Sequence, residues 1–190
     1  LVSSSAASDV YKRQRYWLAL CKWRDLKPQP AINDLKNLIG EVNSEEFMSR
    51  IYLSLGEIYL SIDNSEDAYN NFNKGANLSK NRLLREQVYF QIAEISFENS
   101  DFDNALESYQ KVLSNTVSIT RIQDSNLKIV QIYRLRGELE KSANRIQELI
   151  IDEDFSSIKS DLDLELTKIE YDRGKVDFAI QNYDRIGKDY

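Results

Sequence analysis

Side chains that could act as general bases, nucleophiles or metal ligands are few in this chain of 190 residues. It has no histidine and a single cysteine, Cys21, so the commonest general base and the commonest metal ligand are both missing. Carboxylates are plentiful, but the segments Asp152–Asp154 and Asp161–Glu165 have the short or alternating pattern that is typical of solvated links and helix faces. The sequence contains no glycine-rich phosphate loop, no CxxC and no HExxH. We therefore predict a protein that is not an enzyme and that has no catalytic, metal or cofactor site.

The net charge and the hydropathy pattern disfavour two classes of partner, nucleic acid and membrane. The formal net charge is -6 and the isoelectric point is about 4.9, which disfavours nucleic acid because its binding depends on neutralised phosphates. Charged residues interrupt every apolar run, so we predict no direct membrane insertion by this segment. Cys21 has no partner for an intrachain disulfide, and we expect it to be a small buried apolar residue. Another protein or a peptide remains as the expected partner.

The two ends of the chain differ from the repeated sequence between them. Residues 1–14 lack an initiating methionine and resemble a translated library adapter. We therefore interpret them as a non-native tail, with a native disordered tail as the alternative. Because a genuine N-terminus would then be missing, an export signal could be missing with it. At the other end, the chain stops at Tyr190, and we expect that this is a truncation.

Between these ends, small residues recur every 37 residues, each followed four residues later by a large one. The small residues are Ala31, Ala68, Ala105, Ser142 and Ala179, and the large ones are Leu35, Phe72, Tyr109, Ile146 and Tyr183. Apolar residues recur in the same register upstream, at Leu18, Leu55, Ile92, Ile129 and Leu166, and three residues further on at Cys21, Ile58, Ile95, Ile132 and Ile169. Spacings of three and four indicate helices. Each repeat therefore contains two helices that cross closely at the small residue.

Turn and cap residues separate the predicted helices. The breaks within repeats are Pro28–Pro30, Asp63–Ser65, Asn99–Asp101, Gly137 and Gly174, and Asn43–Glu46 and Ser79–Asn81 lead into the next repeat. Ser65 and Asp101 are predicted N-caps, since their side chains can accept hydrogen bonds from free backbone N–H groups. Gly137 and Gly174 are suited to the positive φ of a tight turn.

Tyr52, Leu55–Gly56 and Tyr59, followed by Ala68 and Phe72, resemble the tetratricopeptide repeat. The other copies are less exact. The resemblance extends from Arg15 to Tyr190 and implies an all-α, right-handed α-solenoid of about five helix-turn-helix repeats. Their expected bounds are 15–48, 49–85, 86–122, 123–159 and 160–190.

Two details indicate a subfamily. The period of 37 residues exceeds the usual unit of about 34, and the segment Tyr183–Tyr190 resembles repeats of bacterial cell-envelope proteins. Examples are the lipoprotein of the outer-membrane assembly machine and the Tol-Pal-associated periplasmic protein. This resemblance favours the periplasm or outer membrane over the cytoplasm. A cytosolic adaptor or regulator, or the non-catalytic repeat region of a larger enzyme, remains an alternative.

In tetratricopeptide arrays the first helices of the repeats line a concave groove. Carried onto this sequence, the groove is predicted to contain Trp23, Leu53, Glu57, Leu60, Phe90, Glu94, Phe97, Gln131, Arg134, Lys168 and Tyr171, in columns that also include Tyr16, Leu20, Leu127 and Leu164. Leu127 and Leu164 are equally well explained as core. Aromatic and apolar residues beside acids suit a peptide with apolar anchors. Because Phe90 and Glu94 stand where a carboxylate clamp would need Lys and Asn, we do not expect such a clamp.

Overall fold

The computed structural model describes residues 4–189, and over that range it contains ten α-helices, one 3₁₀ helix (Glu153–Ile158) and no strand. The helices are α1 (Ser4–Arg24), α2 (Pro28–Ile39), α3 (Glu45–Leu60), α4 (Ser65–Leu78), α5 (Arg82–Glu98), α6 (Phe102–Asn115), α7 (Ile119–Leu135), α8 (Leu139–Ile150), α9 (Lys159–Asp172) and α10 (Val176–Asp189). The predicted all-α helical repeat is confirmed. Within the described part, no helix combines the length and apolar character needed to cross a bilayer.

The helices form two compact units, one up to Ile95 and one from Ser96 onward. In the first unit α1 packs on α2, α3 packs on α4, and α3 also contacts α1 and α2. In the second unit each helix from α6 to α10 contacts the next, and α9 also contacts α7. The odd-numbered helices from α1 to α9 are the first helices of the repeats.

The small residues that recur every 37 residues are buried in the structure. Ala68 and Ala105 are completely buried, as predicted. In α3 and α4 two glycines bring the axes closer still, because a Cβ at Gly56 would lie 2.5 Å from the Phe72 ring. At Ser142, which replaces the alanine of its repeat, the hydroxyl donates a hydrogen bond of 2.8 Å to the carbonyl of Val130 in the facing helix. The polar group is thus satisfied inside the crossing.

The observed caps agree with the sequence at most positions. Asp101 accepts a hydrogen bond from the backbone N–H of Asn104, and Gly137 and Gly174 have φ of +75° and +81°, as predicted. The prediction for Ser65 is wrong. Asn64 is the N-cap of α4 and accepts from the N–H of Asp67 at 3.1 Å, which makes Ser65 the first helical residue.

The N-terminal end differs from expectation in its burial. Residues 4–14 belong to α1, residues 1–3 lie outside the described part, and the interpretation of residues 1–14 as a non-native or disordered tail stays a prediction. Cys21, expected to be buried, is exposed, and Leu18 of the neighbouring column has 56% of its surface exposed, whereas Ala19 is buried. Among the described helices α1 contacts α2 and α3. The face that interior repeats bury against a preceding repeat is therefore open to solvent in α1.

The link before α9 is solvated, as predicted, and it also contributes to the fold. Asp152–Asp154 are exposed, and Asp152 caps the 3₁₀ helix by accepting from the N–H of Asp154 at 3.0 Å. Phe155 then turns inward and packs with Ile146 and Leu162 in the core of the second unit. The connection contributes a core residue instead of only joining two repeats.

Candidate functional site

The first unit contains a depression of about 420 Å³ between α1, α3 and the start of α5. Three of the predicted groove residues, Trp23, Leu53 and Glu57, line this α1–α3 depression. Two others, Leu60 and the α5 residue Phe90, are half-buried and lie outside its lining.

Hydrogen bonds hold the aromatic walls of the depression in place. Trp23 Nε1 donates to Ser61 Oγ at 3.0 Å, and Ser61 Oγ donates in turn to the carbonyl of Ile58 at 2.7 Å. The Tyr16 hydroxyl lies 2.8 Å from Ser54 Oγ. Both rings of α1 are thus fastened to α3 by their polar ends, which leaves their apolar faces available for contact.

Leu53 lines the depression and is also part of the hydrophobic core. It lies in the floor of the depression, yet it is buried and packs on Gly75 of α4 so closely that a Cβ at Gly75 would be 2.5 Å from Leu53 Cδ2. The position of this floor is therefore set by the packing of α3 on α4.

Glu57 is the predicted acid that lines the depression. Its side chain keeps substantial contact with solvent, but the concave wall removes part of its hydration, and this desolvation raises the pKa of the Glu57 carboxyl. Glu94, the corresponding predicted acid of α5, is half-buried and does not line the depression.

In the second unit the structure brings three predicted residues together around a carboxylate that was not predicted. Gln131 Nε2 and Arg134 Nε each donate to Glu165 at 3.2 Å, and Lys168 Nζ donates at 2.7 Å. Glu165 has only 3% of its side chain exposed, so its expected place on a solvated face is wrong. Arg134 also pairs with Asp172 at 3.2 Å. We call Gln131, Arg134, Glu165 and Lys168 the Glu165 cluster.

The two remaining predicted residues lie outside this cluster. Phe97 is half-buried, meets Phe102 edge-on with ring centroids 6.1 Å apart, and has Lys128 Nζ 4.4 Å from its ring centroid. That distance is within the range of a cation–π contact. Tyr171 is 56% exposed at the end of α9.

Sequence analysis missed the two arginines of the depression, Arg24 and Arg50. A signal for the first was available, since residues 15–24 contain three cations and no acid in a chain of net charge -6. No comparable signal marks Arg50. Across residues 4–189, no group of three or more potential ligand side chains is arranged to hold a metal ion.

The paired helices and their small-residue crossings define an α-helical repeat protein. Comparison with protein families makes the class specific: residues 49–82 and 86–115 match the model described as tetratricopeptide repeat. Residues 49–82 and 86–115 are therefore tetratricopeptide repeats, as the sequence predicted, and repeats of this family support a role in protein–protein interaction.

Solved structures show the same fold at low sequence identity. MamA from Desulfovibrio magneticus RS-1 has a TM-score of 0.65 at 12% identity, over 93% of each chain. YrrB, described as a TPR protein with an unusual peptide-binding site, has a TM-score of 0.67 at 10% identity, over 98% of this chain and 91% of YrrB. No curated protein matches the sequence significantly.

Proposed function

We propose that this chain is a non-catalytic scaffold whose first helices bind a peptide segment of a partner protein. The observation that carries the proposal is the α1–α3 depression, whose aromatic walls, Trp23 and Tyr16, are fixed by hydrogen bonds to α3. A ring that is already held in place loses little conformational entropy when a partner covers it. Such rings are the usual energetic centres of protein interfaces.

The depression suits an apolar side chain of an extended or helical segment. Its floor is Leu53, Leu20 lies beside Trp23, and Leu84 closes the side toward α5. A volume of about 420 Å³ can take one large side chain and its neighbours. The description of YrrB as having a peptide-binding site supports a peptide as the kind of ligand.

The second unit carries a proposed contact surface of its own. Three donors of the Glu165 cluster are oriented by a buried carboxylate, so their positions are fixed before any partner arrives. Phe97 and Tyr171 are the aromatic residues that we expect to contact a partner there. Leu60, Phe90 and Glu94 are the corresponding expected contacts on α3 and α5.

A complex of the bacterial cell envelope is the setting that we propose for this scaffold. Support comes from the resemblance of the 37-residue repeats and of Tyr183–Tyr190 to envelope repeats. Sequencing the full reading frame tests the setting. A secretory or lipoprotein signal at its start would support it, and a start that continues directly into the repeats would reject it.

Binding is tested with peptides selected from a random library on the full chain and titrated calorimetrically. We expect Trp23→Ala to weaken binding by about 1–3 kcal/mol, the usual loss for an aromatic anchor. Phe178→Ala is the matched control, since Phe178 is a half-exposed aromatic residue on α10, far along the chain from the depression. Unchanged affinity in the Trp23 variant, with its circular dichroism intact, would move the binding site away from the depression.

The same titration addresses the second unit through Phe97→Ala. We expect a loss of about 1–3 kcal/mol for a peptide that reaches this unit. Wild-type affinity of every selected peptide for the Phe97 variant would remove Phe97 from the proposed surface without affecting the result for Trp23.

A further inference from the structure

The arginines of this chain are almost all engaged within the protein. Over residues 4–189, nine of the twelve make a hydrogen bond, an ion pair or another electrostatic or ring interaction. The other three are Arg13, Arg24 and Arg50. All three line one surface of the first unit, where α1 faces α3. Unpaired guanidinium groups therefore coincide with the proposed peptide site.

Arg50 occupies the central place among them. It lines the α1–α3 depression together with Arg24, and it also lines an adjoining pocket of about 240 Å³ with Tyr16, Trp17 and Phe47. The Tyr16 ring meets the Phe47 ring edge-on at 5.6 Å, and Trp17 is 64% exposed. An unpaired cation is thus bordered on both sides by accessible aromatic surface.

The acids near these arginines are not their ion-pair partners among the described residues. Glu46 and Glu57 line the depression, but neither forms an ion pair with Arg24 or Arg50 within the described residues. Glu46 accepts instead from the backbone N–H of Lys80. The other cations of residues 15–24 are already used, Arg15 by Glu41 and Lys22 by Asp34. Arg24 and Arg50 remain to receive an anion from outside.

We propose that the α1–α3 depression binds a partner segment in which a large apolar side chain is flanked by Asp or Glu residues. The apolar side chain packs between Trp23 and Tyr16, and its acidic neighbours pair with Arg24 and Arg50. This inference rests on the proposed function and names the chemistry of the ligand.

Two features favour side-chain carboxylates over one chain terminus. Arg24 and Arg50 belong to different helices, and each guanidinium can bind a carboxylate of its own through two parallel N–H groups. An acidic segment supplies several carboxylates, whereas a C-terminus supplies one. Arg13 also borders this surface, but the proposal does not require it, because it lies outside the lining of the depression.

The probe is a fluorescent peptide, Asp-Asp-Trp-Asp-Asp, with both ends chemically capped so that no terminal carboxylate is present. Its anisotropy is measured with the full chain at two salt concentrations. Asn-Asn-Trp-Asn-Asn and Asp-Asp-Ala-Asp-Asp test the acidic and the aromatic requirement separately. We expect each to bind at least about tenfold more weakly than the first, and we expect salt to weaken the acidic peptide, because the ion pairs are exposed.

Protein variants locate the contact. Arg50→Gln and Arg24→Gln each remove a charge that has no ion-pair partner among residues 4–189, so both variants should fold normally and bind the acidic peptide about tenfold more weakly. Arg185→Gln on α10 causes the same change in net charge at a residue that is not part of the lining of the depression and should leave affinity unchanged. A loss of equal size in the Arg185 variant would show a general charge effect and would overturn the proposal.

The remaining outcomes separate this inference from the proposed function. Equal binding of the Asn and Asp peptides, with library-selected peptides still dependent on Trp23, overturns the acidic preference and leaves peptide binding intact. Failure of the selected peptides to depend on Trp23 overturns both. A capped phosphoserine peptide without Asp or Glu that binds more tightly than Asp-Asp-Trp-Asp-Asp would replace a carboxylate ligand with a phosphate and would also overturn the proposal.

Discussion

Gly75 of α4 approaches α3 so closely that a single methyl group should disturb the candidate site. A Cβ at this position would lie 2.5 Å from Leu53 Cδ2, 2.9 Å from Leu53 Cγ and 3.1 Å from the carbonyl oxygen of Ser49. The helices cannot separate freely, because Ser49 Oγ donates a 2.7 Å hydrogen bond to the carbonyl of Gly75. The Leu53 side chain must therefore move toward the depression that it lines.

Two opposing effects determine the size of the change. Overpacking a core costs about 1–3 kcal/mol, while replacing glycine by alanine within a helix gains about 1 kcal/mol. We expect Gly75→Ala to lower the free energy of unfolding by about 1 kcal/mol, since overpacking is the larger effect. In a chain of this size the melting temperature should fall by about 2–4 °C.

Circular dichroism during heating and urea unfolding measure the change. Gly187→Ala is the matched control, because nothing lies within 4 Å of a Cβ at this position of α10, and its stability should stay the same or rise slightly. The peptide that depends on Trp23 should bind Gly75→Ala more weakly as Leu53 is displaced. If Gly75→Ala were as stable as Gly187→Ala and bound the peptide normally, the close approach of α3 and α4 would be refuted.

Three further variants test the register, the electrostatics and the N-terminal segment. Ala105→Leu should lower the free energy of unfolding by about 1–3 kcal/mol, since Ala105 is fully buried, and an unchanged melting temperature would contradict the repeat register. Desolvation raises the pKa of Glu57, so its ionised form opposes folding at neutral pH; Glu57→Gln should melt slightly above wild type at pH 7, with the difference lost below about pH 4. Deleting residues 1–14 should leave the melting temperature unaltered, because Val10 and Tyr11 are exposed, and a large fall would show that the segment packs.

The interior repeats could be predicted closely because one pattern of apolar residues recurs in them without change, and the columns at Leu55, Ile92 and Ile129 are all buried. The large partners Phe72 and Tyr109 are buried for the same reason. A periodic sequence is thus sufficient to locate a core that is itself periodic.

The same columns fail at α1 and α10, where the periodic environment changes. Leu18 and Cys21 occupy core positions of the repeat and are exposed, as is Tyr183. The small residues Ala31 and Ala179 of the first and last repeats are still buried, because their burial depends on the partner helix of the same repeat. Sequence periodicity therefore predicts contacts within a repeat better than contacts between a repeat and its neighbour.

The candidate site also depends on which charged side chains pair with a residue of another helix. The sequence of a single helix does not show this. Glu165 belongs to an alternating acidic segment that would be solvated on an isolated helix, yet Gln131 and Arg134 of α7 reach across to it. Arg50 shows the opposite behaviour, because it lacks an ion pair with a neighbouring helix in the described part of the chain. It is an ordinary surface arginine by sequence, and no acid of the helices around it forms an ion pair with it within the described residues. Burial of a carboxylate requires such compensation, and an arginine that receives none keeps its full capacity to bind an external anion. Pairing between helices thus fixes the charges of the second unit in place and leaves those of the α1–α3 depression available to a partner.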